Sequence, residues 1–139
     1  MRKNKQNIIL TLLALAAVLL LSDCDEKPGN FKAYFWTRSE KGTTNYLYIN
    51  EVRKGVLPYM DRAPLCDDGP SKKEALFVLL PSDKYVISVK DSLGNIKFMG
   101  DLKLWTSRNN TSIDASSNHQ PGKMHITGKG SCLIDEIHF

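Results

Sequence analysis

Tyr85-Val86-Ile87-Ser88-Val89-Lys90, followed by Ser92-Leu93-Gly94-Asn95 and then by Ile96 to Leu104, decides the fold class. Tyr85, Ile87 and Val89 alternate with Val86, Ser88 and Lys90, the period of two that puts successive side chains on opposite faces of a strand. Ser92-Leu93-Gly94-Asn95 supplies turn residues between two such runs, which predicts a hairpin. Beyond it Ile96, Phe98, Leu102 and Leu104 alternate with Lys97, Met99, Asp101 and Lys103, and Gly100 marks a bulge in the second strand.

The same period extends outward in both directions. Phe31, Ala33 and Phe35 alternate with Lys32, Tyr34 and Trp36 in a half-buried strand ending near Arg38. Tyr46 to Ile49 puts Leu47 and Ile49 on one side and Tyr46 and Tyr48 on the other. Asn50-Glu51 turns the chain into Val52 to Leu57, which Pro58 stops. Asp61 to Lys73 is a loop holding Cys66, and Glu74 to Leu80 is apolar enough for a central sandwich strand. Ser107 to Pro121 is polar and lacks a period, which predicts a flexible insertion at 107–121. Met124 to Thr127 and Cys132 to Phe139 complete the strand material, and no stretch carries a helical apolar stripe. The prediction is all-β: a single small antiparallel β-sandwich of about seven strands.

The N-terminus has another character. Arg2, Lys3 and Lys5 precede Ile8 to Leu21, 14 residues in which only Thr11 is polar. That run is too short for the ~20 residues that cross a bilayer and has the form of a secretory signal. Leu21-Ser22-Asp23-Cys24 follows directly and resembles the lipobox of bacterial lipoproteins, in which the cysteine thiol is diacylated and becomes the new N-terminus. Leu21 and Ser22 fit that pattern; Asp23 departs from the small residue usual before the cysteine. The resemblance implies a lipoprotein signal peptide over 1–23, lipidation of Cys24, a polar tether over 24–30 around Pro28 and Gly29, and a domain over 31–139. Acyl chains on Cys24 supply ~0.8 kcal/mol per buried methylene, so the membrane is the first expected partner. Asp25 resembles an inner-membrane retention signal of some bacteria and Asp25-Glu26 a surface-export signal of others. The outer membrane is the favoured location.

Removing the leader lowers the formal net charge of the 139-residue chain from +4 to +2, with 16 bases against 14 acids, which argues against a nucleic-acid partner. Of the three cysteines, lipidation of Cys24 leaves Cys66 and Cys132, and an oxidising envelope predicts a disulfide between them.

Tyr48-Ile49-Asn50, Lys54-Gly55-Val56-Leu57, Pro64-Leu65-Cys66, Leu80-Pro81-Ser82-Asp83-Lys84-Tyr85, Gly100 and the late Cys132 form a layout. It resembles small bacterial lipoproteins whose sandwich is related to PEGA-type and carboxypeptidase regulatory-like domains. Asp83 stands where the turn of such domains carries glycine. The resemblance implies a binding or spacer module with no catalytic residue to transfer.

The residues themselves point the same way. There is no Gly-x-Ser-x-Gly elbow, His-Glu-x-x-His or glycine-rich phosphate loop. His119, His125 and His138 lack ligand spacing, and Asp61, Asp67 and Asp68 lack the spacing of a calcium loop, so neither metal nor cofactor is expected. The sequons at Asn109-Asn110-Thr111-Ser112 are incidental behind a bacterial leader. The candidate contact surface is aromatic: if the first two strands pair, Tyr34, Trp36, Tyr46 and Tyr48 form an exposed platform for a protein or glycan partner. The expected function is a lipid-anchored, non-catalytic binding or accessory module of the cell envelope. The alternative is a periplasmic inhibitor or immunity-type protein that blocks a toxin or hydrolase.

Overall fold

The computed structural model describes residues 29–107, 110–118 and 122–139. The expected signal peptide over 1–23, Cys24, most of the expected tether over 24–30 and His119 lie outside the described residues.

Among the described residues nine strands make two packed sheets and one short helix joins them: β1 (Asn30–Trp36), β2 (Asn45–Ile49), β3 (Val52–Leu57), α1 (Gly69–Glu74), β4 (Leu76–Pro81), β5 (Lys84–Asp91), β6 (Ile96–Ser107), β7 (Asn110–Ser117), β8 (Lys123–Lys129) and β9 (Cys132–His138). One sheet has the order β4-β1-β9-β8 and the other β3-β2-β5-β6-β7. All neighbours are antiparallel except β1 and β9, which run parallel. The all-β sandwich expected from the alternation is therefore present, with nine strands instead of seven.

Inner positions follow the period of two. Phe31, Ala33 and Phe35 meet Leu47, Ile49, Ile87, Val89, Phe98, Leu102 and Leu104 in one core, joined by Leu133 and Ile137. Burying each large side chain contributes roughly 1.5–3 kcal/mol, so this layer is the main source of stability. The β5–β6 hairpin is pinned by Asp91, whose carboxylate accepts from the amides of Leu93 and Asn95 and from Asn95 Nδ2, while Gly94 takes φ +86°. The Asn95 side-chain bond is the main reason its carboxyl sits below the usual range.

Three local expectations change. Glu74 to Leu80 was expected at a sheet centre, but β4 is an edge strand, with Phe77 and Leu79 each 51% exposed on its outer side. An apolar run alone does not distinguish a strand covered on both faces from an edge strand with an apolar outer face. Of 107–121, expected as a flexible insertion, 108–109 and 119–121 lie outside the described residues, and Asn110–Ser117 forms strand β7, which pairs with β6 from Ser107↔Asn110 to Gly100↔Ser117. Its Thr and Ser content concealed it, because an edge strand of a sheet with one bare face needs few apolar residues. Gly100 is no bulge. It lies in regular register opposite Ile87, and a Cβ there would strike the carbonyl oxygen of Ser116.

Strand β9 carries a polar group into the core. Asp135 lies opposite Phe35 between the inward Leu133 and Ile137, is 1% exposed, and among the described residues has no hydrogen-bond partner for either carboxyl oxygen. Desolvation raises its pKa well above the usual aspartate value.

Candidate contact surface around Trp105

The four rings expected to form one platform do not share a surface. β1 pairs with β4 and β9, whereas β2 pairs with β3 and β5. Tyr34 and Trp36 thus belong to the outer side of the four-stranded sheet, and Tyr46 and Tyr48 to the outer side of the other. The sides themselves are as the alternation predicts, since Phe31, Ala33 and Phe35 all face the core. What fails is the pairing of the first two strands and the exposure of Trp36.

Trp36 is 1% exposed. It packs with Met60, Ala75 and Ile134 in a second apolar cluster, with Tyr34, Cys66 and Cys132 at its margin. The cover is the segment between β3 and β4. Thr37 N–H donates to the Pro58 carbonyl and Met60 N–H to the Thr37 carbonyl, which starts the segment along the end of β1. The Cys66–Cys132 disulfide, expected from cysteine arithmetic, ties it to β9 across 66 residues, with Cα atoms 6.0 Å apart. Pro70 opens α1, and the helix leads the chain into β4.

The other three rings are half-buried and occupied by neighbours. Phe77 lies 5.3 Å from the Tyr34 ring. Arg53 stacks 3.6 Å from the centroid of Tyr46, and Lys90 Nζ lies 4.7 Å from that of Tyr48. Above Trp36, Arg38 Cζ lies 5.1 Å from the indole, and Arg38 Nε and Nη2 donate to Glu136 Oε1 and Oε2 at 2.6 and 2.9 Å. Burial alone would raise the Glu136 carboxyl. The Arg38 hydrogen bonds, with the charges of His138, Arg38 and His125, bring it below the usual range instead. His125 faces Glu136 across β8–β9, and His138 Nε2 lies 3.2 Å from Glu136 Oε1. Among the described residues no three His, Cys, Asp or Glu side chains gather as metal ligands.

The surface that stands open belongs to the other sheet. Trp105, 63% exposed, projects from the outer side of β6 beyond Asp101 and Lys103. Two adjoining hollows of about 190 and 300 Å³ lie over β5, β6 and β7 and share Lys84, Lys103 and Asp114. Val86 borders the first, and Trp105 with Ser82 and Asp83 borders the second. The register sets Lys84 opposite Lys103 and Lys103 opposite Asp114. Lys103 Nζ is 3.9 Å from Asp114, and Asp83 accepts from the Lys84 amide at 2.8 Å. Two like charges directly opposite on adjacent strands repel, and a large indole in water beside them exposes apolar area. The arrangement suits a partner that accepts an aromatic ring and ammonium groups together.

The outward direction of Trp105 was legible in the sequence, because the alternation that buries Leu102 and Leu104 turns residue 105 to the side of Lys103. No protein-family model, curated protein or solved structure matches this chain.

Proposed function

We propose that the chain is a lipid-anchored, non-catalytic module of the cell envelope, held through Cys24 in the outer membrane, that acts by contact at the Trp105 surface. The observation that carries the contact role is the uncovered indole above the Lys84–Lys103 pair, on a sheet face to which no other element is packed among the described residues. The anchor reading rests on the basic start, the 14-residue apolar run and the Leu21-Ser22-Asp23-Cys24 element. The likeness to PEGA-type modules and the Cys66–Cys132 bond, a feature of oxidising compartments, support the same reading.

Metabolic labelling with a fatty-acid analogue, followed by separation of inner and outer membranes, tests it. The wild-type chain should take the label and sediment with the outer membrane, and Cys24→Ala should lose both properties. A Cys24→Ala chain that fractionates as wild type contradicts the anchor.

A further inference from the structure

The end of the sandwich at which the domain leaves its tether is the Trp105 end. Gly29, the first described residue, packs its backbone against the side chain of Thr106 so closely that a Cβ would collide with it. Its carbonyl accepts from the Ser82 amide at 2.8 Å and from Ser82 Oγ at 3.2 Å. Thr106 is the neighbour of Trp105, and Ser82 lines the same hollow as Trp105. Four residues lie between Cys24 and Gly29, and the five Cα-to-Cα steps of that stretch reach at most about 18 Å when fully extended. The seven residues of β1 then carry the fold to its far end, about 23 Å further on. An acylated Cys24 therefore holds the Trp105 end at the membrane surface and the Arg38–Glu136 end away from it.

That end carries the chemistry of an interfacial contact. Tryptophan is enriched at the headgroup level of bilayers, where its ring is apolar and its N–H is wet. Lys84 and Lys103 flank the indole, and exposed Lys32 and Lys129 lie at the same end, where the β8–β9 turn meets β1 through the Lys32 amide and the Ser131 carbonyl. Against these four cations stand Asp83, turned back onto the Lys84 amide, Asp114, beside Lys103, and Asp101, which lines the same hollow as Lys84 and Lys103 and accepts from the Asn118 side-chain amide. Four cations against three acids leave one net positive charge toward anionic headgroups, which attract lysines near the bilayer surface.

Resting on the proposed Cys24 anchor, we infer that the occupant of the Trp105 surface is the phospholipid bilayer itself: Trp105 enters the headgroup region, Lys84 and Lys103 pair with lipid phosphates, and the sandwich is held upright with its Arg38–Glu136 end outward.

The test uses the full chain, its acylation read by mass, in vesicles of phosphatidylethanolamine and phosphatidylglycerol with brominated acyl chains, which quench indoles at the interface. Trp105→Phe identifies the Trp105 share of the emission, since that exposed position can change without disturbing the core. The expected result is loss of Trp105 emission in the brominated vesicles and protection of Trp105 from aqueous iodide. Lys84→Glu/Lys103→Glu should restore iodide access while acylation persists. An acylated chain whose Trp105 is unquenched and open to iodide overturns the docking and leaves the anchor standing. An unacylated chain whose Trp105 is quenched when added to the same vesicles refutes the anchor and upholds the docking. An unacylated, unquenched chain refutes both.

Discussion

The two tryptophans of this chain stand on outer sheet faces, and they meet opposite fates. Trp36 lies beneath a segment that Cys66–Cys132 ties to β9, packed with Met60, Ala75 and Ile134. Trp105 lies on a face that no other described element covers. Strand alternation assigns both to the outside of the sandwich. It does not say whether that outside is wet. Coverage is a property of the long connections, and here a disulfide decides which face receives one.

The largest break in that comparison should come from truncating each ring. Trp36→Ala should cost about 3–5 kcal/mol, the range for emptying a buried indole site, whereas Trp105→Ala should stay within about 0.5 kcal/mol. Urea melts of the two variants check this, and equal losses would mean that the two faces are alike.

Removing the staple comes next. Closing a loop of 66 residues stabilises by about 4 kcal/mol in the chain-entropy model. Cys66→Ser should lose about that much, and Cys66→Ser/Cys132→Ser little more, because one bond is lost either way. Strictly additive losses in thermal melts would show that the cysteines act separately.

A smaller effect, opposite in sign, is expected from Asp135. Its folded pKa is raised by desolvation, so the stability associated with its protonated form is complete in acid and is lost as pH rises through the folded value. Asp135→Asn should therefore stabilise at neutral pH, because the amide never has to be neutralised on burial, and the gain should vanish in acid, below the unfolded aspartate value. A gain independent of pH would mean that Asp135 is not the titrating group.

The smallest effect belongs to Asp91, whose lowered pKa, set first by the Asn95 side chain, gives the reverse sign. Its contribution is present above the unfolded carboxylate value and is lost as pH falls through the folded one. Asp91→Ala should destabilise at pH 7, and the difference from wild type should close in strong acid. A difference that persists there would assign the loss to the turn backbone.

How much of this was legible follows from which features are local. The inner faces of β1, β2, β5 and β6 were readable because Phe31, Phe35, Leu47, Val89 and Leu104 fall on the apolar side of a period of two, and the Ser92–Asn95 turn makes β5 and β6 neighbours. The Cys66–Cys132 bond was readable from the cysteine count, once Cys24 is set aside as the expected lipidation site. The β1–β9 and β1–β4 neighbours were not, because nothing in Asn30–Trp36 specifies a partner far along the chain, and assuming β1–β2 pairing produced the false aromatic platform. β7 was missed because Asn110–Ser117 has Ile113 and Ala115 as its apolar residues, too few to stand out as a period. Asp135 was passed over because a carboxylate between Ile134 and Glu136 suggests a surface position.

Iodide quenching of the wild-type chain and of Trp105→Phe in solution, before and after reduction of the disulfide, tests the contrast most directly. The account predicts that the Trp105 share of emission is quenched freely in both states, while Trp36 is protected until Cys66–Cys132 is reduced and gains access afterwards. A Trp36 equally open to iodide with the disulfide intact would contradict it.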